Sequence, residues 1–177
     1  MRAFRLFLIL SFSQAFVAAV TQQTPEVSLI QFDAVPDIRL IACDMDGTLL
    51  DDDNVIHEDF WPLVKQLHAR GILFCPASGR QVYNLLECFE PIADDVVFIA
   101  ENGAFVMHQG VEVSSDCLSG AVARELVGVA RDLESRGANV GVVLCGKRSA
   151  YIERSGPDFR AEVDRYYHRL EVVEDLQ

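Results

Sequence analysis

The sequence predicts an α/β fold, in which a parallel sheet is followed by a smaller α+β unit. Three continuous apolar runs alternate with two segments of helical periodicity between residues 38 and 104. Strands that are apolar throughout are typical of a parallel sheet covered on both faces. From 105 to 177 the pattern changes to pairs of short strands with separate helices, which is typical of an α+β arrangement. We therefore expect a core at 38–104 and a separate α+β unit at 105–177, preceded by a leader at 1–19 and a linker at 20–37.

The composition excludes several classes of function. The chain has 177 residues, of which 50% are hydrophobic, so it is long enough for one domain with a substantial core. Its formal net charge is −12, and an acidic surface repels a phosphate backbone, so no nucleic-acid partner is expected. The five cysteines contain no CxxC pair, which argues against zinc. Cys43, Cys75 and Cys145 lie in apolar runs that are typical of buried positions. The sequence does not indicate an oligomeric state.

The N-terminus has the pattern of a secretory signal peptide. Arg2 and Arg5 precede the apolar run at 6–12, and small residues follow at 17–19. The run is short for a membrane span, so the mature chain should have none. If this leader is real, the protein is secreted or targeted to an organelle. An organelle-targeting leader and a wrongly chosen start codon are the alternatives, and a chain without a leader would be cytoplasmic.

The first half predicts strand, helix, strand, helix, strand. The strands are the apolar runs at 38–43, 72–75 and 96–100. The first helix lies near 57–70. It should begin close to Asp59, because Pro62 fits only in a first turn, and Gly71 should end it. The second helix should begin at Ser78. The apolar residues of each helix recur on one face, namely Phe60, Leu63, Val64 and Leu67 in the first and Val82, Leu85, Leu86 and Phe89 in the second.

The second half predicts two hairpins and two helices. The hairpins lie at 105–113 and 140–153, and each contains a glycine at its turn. Ser119 is positioned to cap a helix that runs to about residue 136, and a second helix is expected at 157–170. The residues of the first of these helices that we expect to face inward are Val122, Leu126, Val129 and Leu133.

Polar residues follow all three strands of the predicted parallel sheet. The first strand ends in two carboxylates, after which Gly47 allows a sharp turn and Thr48 offers a hydroxyl and a free N–H. Because the carboxyl ends of parallel strands meet at one edge of a sheet, the three strand ends should converge. The candidate site residues are Asp44, Asp46, Gly47, Thr48, Ser78, Gly79, Arg80 and Asn102.

These residue types together indicate phosphoryl transfer. Asp44 and Asp46 repel each other unless a cation or a proton lies between them, and Mg²⁺ with its preference for oxygen ligands is the natural cation. If their environments differ, one carboxylate can be the nucleophile while the other transfers protons. Ser78 and the Gly79 N–H stand at a predicted helix start, which attracts anions, and Arg80 adds positive charge. The set therefore predicts attack by a carboxylate on a phosphoryl group.

Several of these patterns also have ordinary explanations. The three aspartates at 51–53 could form a further metal site, but a solvated loop is the commoner reason for such a run. The Ser78 loop taken alone fits an ordinary helix cap as well as it fits a site, and Asn102 followed by glycine is more often a plain turn. The four histidines show no ligand spacing.

The three strand-end motifs resemble those of the haloacid dehalogenase-like (HAD) hydrolase superfamily. DMDGTLL at 44–50 is similar to its first motif. ASGR at 77–80 and ENGA at 101–104 are similar to motifs of its Cof-type sugar phosphatase branch. The resemblance runs from about Arg39 to residue 104, with weaker cap-like sequence beyond. It implies a Rossmann-like core with an α+β cap and a Mg²⁺-dependent phosphomonoesterase acting on a sugar phosphate or a similar small phosphorylated metabolite.

The resemblance also implies a role for each motif residue. Asp44 would be the nucleophile that becomes phosphorylated, and Asp46 would protonate the leaving group and then activate water. The Asp44 carboxylate and the Asp46 main-chain carbonyl would hold Mg²⁺. The residues implied in phosphate or substrate binding are Gly47, Thr48, Ser78, Gly79, Arg80 and Asn102.

Two expected family motifs do not occur within these 177 residues. The family places a lysine and a GDxxND-type acidic motif after the cap. Lys147 lies in a predicted cap hairpin, so we do not assign it as that lysine. We therefore expect an N-terminal fragment with low or no turnover by itself. The alternatives are a truncated non-catalytic chain that binds phosphate or a partner, and a phosphomutase of the same cap class.

Overall fold

The computed structural model describes residues 4–10 and 37–177. Most of the predicted leader and linker lie outside this part of the chain, so both stay predictions. The described residues form two sheets. The first contains five strands that are neighbours in chain order, and the second contains the first strand of the chain, β1 (Phe4–Leu10), and three later strands. The strands of the first sheet are β2 (Leu40–Asp44), β3 (Leu73–Ala77), β4 (Val97–Ala100), β5 (Phe105–His108) and β6 (Val111–Ser115).

The first three strands of this sheet are parallel, as predicted. β2 pairs with β3 and β3 with β4 in parallel, whereas β5 and β6 are antiparallel to their neighbours. The hairpin of β5 and β6 turns at Gln109 and Gly110, which both have positive φ, as a two-residue hairpin turn requires. The division expected at residue 104 assigns this hairpin to the second unit. In the structure it continues the first sheet, because β5 pairs with β4.

Helix α1 (Phe60–Ala69) connects β2 to β3 and closes one face of the core. Asp59 precedes its first residue and Pro62 lies in its first turn, as expected. Gly71 follows it with φ of +73°. Phe60 and Val64 are buried, but Leu63 is 52% exposed, so the predicted apolar stripe is wrong at that position. The helix meets the sheet through an edge-to-face aromatic contact between Phe60 and Phe74.

Helix α2 (Val82–Cys88) connects β3 to β4. The prediction that a helix begins at Ser78 is wrong, since Gln81 is the N-cap and residues 78–81 form a bend. The bend exists because its polar groups are bonded to other strands and loops rather than to the first helical turn. Leu85 and Phe89 are fully buried, and Phe89 contacts the rings of Phe74 and Phe98.

Strand β2 lies at the edge of the sheet. Leu40 is 52% exposed and Ala42 is also exposed, so the expectation that every parallel strand is covered on both faces is wrong here. Strand β3 in the middle is buried over Phe74–Pro76, which agrees with its continuous apolar sequence. Among the described residues, no helix has the length and apolar character that crossing a membrane requires.

The second sheet contains the predicted hairpin of β7 (Val140–Gly146) and β8 (Ala150–Ile152). β9 (Leu170–Val172) pairs in parallel with β8, and β1 (Phe4–Leu10) pairs antiparallel with β7. Neither outer strand was predicted. Helix α4 (Pro157–Asp164) ends before the predicted residue 170, because the main chain that follows it bonds to residues 80–84, around the start of α2, instead of continuing the helix.

Helix α3 (Gly120–Ser135) begins and ends as predicted, but its predicted inward face is wrong. The Ser119 hydroxyl accepts a hydrogen bond from the Val122 N–H and so caps the helix. Ala123, Val127 and Ala130 are the buried residues. Their small side chains allow the helix to lie close to the sheet. The residues expected inside are instead exposed, namely Val122, Leu126, Val129 and Leu133.

Candidate active site

The loop after β2 is a tight turn built around the carbonyl group of Met45. This carbonyl accepts hydrogen bonds from the N–H groups of Thr48, Leu49 and Leu50 at 3.3, 3.0 and 2.9 Å. The Met45 side chain is fully buried, while Asp44 and Asp46 on either side of it are exposed. The core thus anchors the loop between its two carboxylates. The expected free N–H of Thr48 is therefore bonded within the turn.

The register of the parallel strands brings the three strand ends to one edge. Asp44 is aligned with Ala77, and Ala77 is aligned with Ile99 on β4. The Ser78 N–H donates to the Ile99 carbonyl at 2.9 Å, and the Asn102 N–H donates back to the Ser78 carbonyl at 3.0 Å. The predicted convergence of the strand ends is confirmed.

Ser78 is positioned to donate its hydroxyl proton. The side chain is buried, and its Oγ accepts a hydrogen bond from the Arg80 N–H at 3.1 Å. That bond occupies a lone pair and fixes the rotamer, which leaves the O–H as a donor. Within residues 37–177, the N–H groups of Gly47 and Gly79 donate to no backbone acceptor. The edge therefore presents several hydrogen-bond donors that an anion could bind.

The loop after β4 has an unusual backbone. Glu101, Asn102 and Gly103 follow one another with φ of 52°, 55° and 82°. A non-glycine residue with positive φ is uncommon, and two in succession persist only where surrounding contacts hold them. The Glu101 N–H donates to the Arg80 carbonyl at 3.1 Å, which is one such contact. A Cβ at Gly79 would lie 3.1 Å from Asn102 Oδ1, so glycine at that position lets the two loops pack together.

Arg80 joins this edge to Asp46 by a two-point ion pair. Its Nε donates to Asp46 Oδ2 at 3.2 Å, and its Nη2 donates to Asp46 Oδ1 at 2.5 Å. The Arg80 side chain is 8% exposed, whereas that of Asp46 is 48% exposed. The hydrogen bonds to Asp46 raise the pKa of the Arg80 guanidinium, and burial opposes them. Arg80 therefore remains a cation and holds the Asp46 carboxylate in one orientation.

A cavity of about 420 Å³ lies beside Arg80, between α2 and the chain after α4. The His168 ring is placed there by Glu87, at 2.6 Å from Nδ1, and by Asn84, at 2.9 Å from Nε2. Burial raises the pKa of the Cys88 thiol, which keeps it protonated and unreactive. Sequence reasoning missed this cavity because its residues belong to separate elements that share no motif. They are Asn54, Arg80, Asn84, Glu87, Cys88, Arg165 and His168.

The oxygen ligands at the edge fit Mg²⁺ better than a metal that needs a protein cage. Within residues 37–177, no three His, Cys, Asp or Glu side chains group to hold a metal, and the Asp44 carboxylate makes no hydrogen bond or ion pair. Mg²⁺ is commonly held by one or two carboxylates together with water and substrate phosphate. Asp51 does not extend this set, because its Oδ1 accepts from the N–H groups of Asp53 and Val55 at 3.0 and 2.8 Å. The run at 51–53 is a turn in an exposed loop.

Lys147 is engaged away from the three strand ends. Its Nζ lies 2.8 and 2.7 Å from the two carboxylate oxygens of Glu112 on β6. Both side chains are partly exposed, as in an ordinary surface ion pair. This placement agrees with the sequence-based decision not to assign Lys147 to the site.

A family model and several curated proteins match this chain. The model of a haloacid dehalogenase-like hydrolase family matches residues 41–175. The chain is 36% identical over 141 residues to the 5-amino-6-(5-phospho-D-ribitylamino)uracil phosphatase YbjI of Escherichia coli, covering 78% of this chain and 51% of that protein. It is 32% identical over 68 residues to the phosphatase of the same name, YcsE, of Bacillus subtilis, covering 38% and 27%. The chain thus spans about half the length of the first relative and less of the second.

Solved structures share the fold. SMU.1108c from Streptococcus mutans superposes with a TM-score of 0.68 at 23% identity, covering 78% of this chain and 52% of that one. The HAD subclass IIB sugar phosphatase BT4131 superposes with a TM-score of 0.61 at 17% identity, covering 76% and 52%. The family match over most of the chain and the 36% identity to a phosphatase agree with the converging strand ends. The chain belongs to the haloacid dehalogenase-like hydrolase family.

Proposed function

We propose that this protein is a Mg²⁺-dependent phosphomonoester hydrolase that works through an aspartyl-phosphate on Asp44. The observation that carries the proposal is the arrangement of two carboxylates with different surroundings at one sheet edge. The Asp44 carboxylate makes no hydrogen bond or ion pair within the described residues, whereas the Asp46 carboxylate is held by Arg80. An unengaged carboxylate suits a nucleophile, and an oriented one suits a group that transfers protons.

The first half-reaction moves the phosphoryl group to the protein. An Asp44 carboxylate oxygen attacks phosphorus, and the bond from phosphorus to the leaving oxygen breaks. The Asp46 carboxyl group, which holds the proton taken from water in the preceding turnover, gives that proton to the leaving oxygen. The Ser78 hydroxyl and the N–H groups of Gly47 and Gly79 would donate hydrogen bonds to the phosphoryl oxygens. Thr48 would contribute through its hydroxyl group, since its N–H is bonded to Met45.

The second half-reaction releases phosphate. The Asp46 carboxylate takes a proton from water, the water oxygen attacks phosphorus, and the bond to Asp44 breaks. Two easier steps thereby replace one slow hydrolysis. The Asp44 carboxylate and the Asp46 main-chain carbonyl would hold Mg²⁺, which supplies positive charge against the phosphoryl oxygens when bound.

The choice of first substrates follows from the Escherichia coli relative. That protein is described as a phosphatase of 5-amino-6-(5-phospho-D-ribitylamino)uracil, and it is 36% identical over 141 residues. We propose a small phosphorylated metabolite of this kind, a sugar or ribityl phosphate. Arg80 and Asn102 would lie on the substrate side, and the 420 Å³ cavity beside Arg80 offers room for the organic part of the substrate.

The direct test is phosphate release from a panel of sugar and ribityl phosphates with Mg²⁺, measured at a protein concentration high enough to detect the low turnover that is expected of these 177 residues. Asp44→Asn should lower release by a factor on the order of 10³ or more, because no other carboxylate replaces the nucleophile. Asp52→Asn is the matched control, since Asp52 is exposed in the nearby turn and should leave release unchanged. Equal release by the Asp44→Asn variant and the unaltered protein would contradict the proposal.

A second measurement detects the intermediate without requiring full turnover. An aspartyl-phosphate is reduced by borohydride to homoserine, so mass spectrometry after such treatment should find homoserine at position 44 only. The Mg²⁺ site is tested separately by thermal unfolding. Mg²⁺ should raise the midpoint of the unaltered protein and not that of the Asp44→Asn variant. A rise of the same size in both would place the ion elsewhere.

A further inference from the structure

All five N–H groups of the Arg80 side chain are hydrogen-bonded, and they connect Asp46 to the second half of the chain. Two bonds reach Asp46, and Nη2 also donates to Asn54 Oδ1 at 3.0 Å. Nη1 donates to Asn84 Oδ1 at 3.3 Å and to the Arg165 carbonyl at 3.5 Å. In this arrangement the guanidinium has no N–H left for a phosphoryl oxygen.

The chain that follows α4, residues 165–169, is fixed to the start of α2, and we name it the docking segment. Gln81 is 1% exposed and pairs with the docking segment through main chain and side chain. Its N–H donates to the Tyr166 carbonyl at 2.9 Å, and its Nε2 donates to the Arg169 carbonyl at 3.0 Å. Its Oε1 accepts from the Arg169 N–H at 2.8 Å. Leaving the buried polar groups of Gln81 without these partners would cost free energy, so the docking is specific.

Asn84 forms the link between the docking segment and Arg80. Its Oδ1 accepts from Arg80, while its Nδ2 donates to the Arg165 carbonyl at 3.3 Å and lies 2.9 Å from His168 Nε2. The Arg165 carbonyl is therefore shared by Asn84 and Arg80. If the docking segment moved away, Arg80 would lose one acceptor directly, and Asn84 would lose the contacts that orient it.

We propose that Arg80 is a positioning residue for the Asp46 carboxylate, and that binding of the docking segment to Gln81 and Asn84 sets the position of Arg80. Orientation of the acid/base group and binding of the docking segment are then one coupled event. The catalytic part of this inference rests on the proposed function. The coupling itself is a property of the contacts and holds whether or not the chain turns over a substrate.

Coupling between two sites is reciprocal, which provides a test without a substrate. Asp46→Asn keeps the shape of the side chain but removes the charge that Arg80 pairs with. We expect it to increase amide hydrogen exchange in the docking segment by about tenfold, which corresponds to a coupling of ordinary size. Asp44→Asn is the matched control, because Asp44 makes no hydrogen bond with Arg80. In that variant, exchange in the docking segment should equal that of the unaltered protein. Equal exchange in the two variants would overturn the coupling.

The catalytic part is tested by the choice of leaving group. Asn84→Ala should lower kcat/KM for an alkyl phosphate by about tenfold, a fraction of what general acid catalysis usually contributes. It should change kcat/KM for p-nitrophenyl phosphate, whose leaving group needs no proton, by no more than about twofold. If the substitution only disturbed the structure, kcat/KM would fall by the same factor for both substrates. Tyr83→Phe is the control, because it removes another contact with the second unit, the 2.8 Å bond from Tyr83 to the Lys147 carbonyl, without touching Arg80.

The two measurements separate the two proposals. If the unaltered protein releases no phosphate from either ester, the proposed function fails while the exchange test still decides the coupling. If phosphate is released but Asn84→Ala lowers both esters equally, Arg80 does not position the acid and the catalytic part of the inference is overturned.

Discussion

Gly141 illustrates how a single residue decides the position of a helix. A Cβ built on Gly141 would overlap the ring of Phe159, so the ring of Phe159 lies directly against the backbone of β7. The guanidinium carbon of Arg154 lies 5.5 Å from the centre of the same ring. Because Phe159 belongs to α4, the absence of a side chain at Gly141 determines how closely α4 approaches the sheet.

We expect Gly141→Ala to lower the free energy of unfolding by about 1–3 kcal/mol, because the added methyl group displaces the ring. Urea denaturation measures this. In a Phe159→Ala background the same substitution should cost less, which a double-mutant cycle would show as non-additivity. Gly128→Ala is the control, since the nearest atom to its Cβ is 3.9 Å away and the position is helical. That control should stabilise by about 1 kcal/mol. A loss of the same size in both backgrounds would contradict the packing explanation.

Most of the residues at the sheet edge could be predicted from the sequence, but their partners could not. Asp44, Ser78 and Asn102 each follow an apolar run that ends a parallel strand, so topology alone brings them together. The ion pair of Arg80 with Asp46 joins residues that are 34 positions apart in sequence. Nothing local to either residue indicates the pairing, which depends on how the bend at residues 78–81 is folded.

At the scale of elements, α3 shows why the apolar stripe of a helix can mislead. Its large apolar residues and its buried residues lie on different faces. The face with Ala123 and Ala130 packs on the second sheet, because small side chains allow a closer approach than the valines and leucines nearby. A pattern that counts only hydrophobic size selects the wrong face, since burial is decided by fit to the sheet.

This placement predicts unequal costs for the same valine-to-alanine substitution at two positions of α3. Val127 is fully buried, and Val127→Ala should lower the free energy of unfolding by about 2 kcal/mol. Val129 is 52% exposed, and Val129→Ala should change it by less than about 0.5 kcal/mol. Both lie in the same helix, so the change in helix propensity is common to them. Urea unfolding measures both changes. A larger loss of unfolding free energy for Val129→Ala than for Val127→Ala would mean that the face expected from the sequence is the buried one.

The first residue of α2 and the last residue of α4 were mispredicted for a related reason. Periodicity continues through residues 165–170, and nothing in those residues forbids a helix. The helix ends at Asp164 because the carbonyl groups of Arg165, Tyr166 and Arg169 accept hydrogen bonds from Asn84 in α2 and from Gln81, its N-cap. Long-range hydrogen bonds thus override local propensity, and a single sequence does not reveal them.

At the scale of the whole molecule, strand β1 connects the N-terminus to the second sheet. β7 has an apolar sequence, and its outer edge is paired over its full length with Phe4–Leu10. The same residues lie within the leader predicted at 1–19, whose removal stays a prediction. If that leader is removed, β7 becomes an edge strand with unpaired backbone groups.

A chain that begins at residue 20 should therefore show faster amide exchange in β7 than the 177-residue chain, because its outer hydrogen bonds are gone. Light scattering should also show more self-association, since an apolar edge strand pairs readily with a second copy. Exchange in β3, which lies in the other sheet, is the internal control and should not change. Unaltered exchange in β7 would mean that β1 contributes no pairing in solution.

The three consecutive residues with positive φ at 101–103 also reverse the direction of the chain. They lie at the point where the first sheet changes from parallel strands to an antiparallel hairpin, between β4 and β5. A right-handed backbone there would send β5 away from β4 rather than back along it. The turn that presents Asn102 is therefore the turn that reverses the chain. A substitution that relaxes it should alter the strand pairing of the sheet and the shape of the site together.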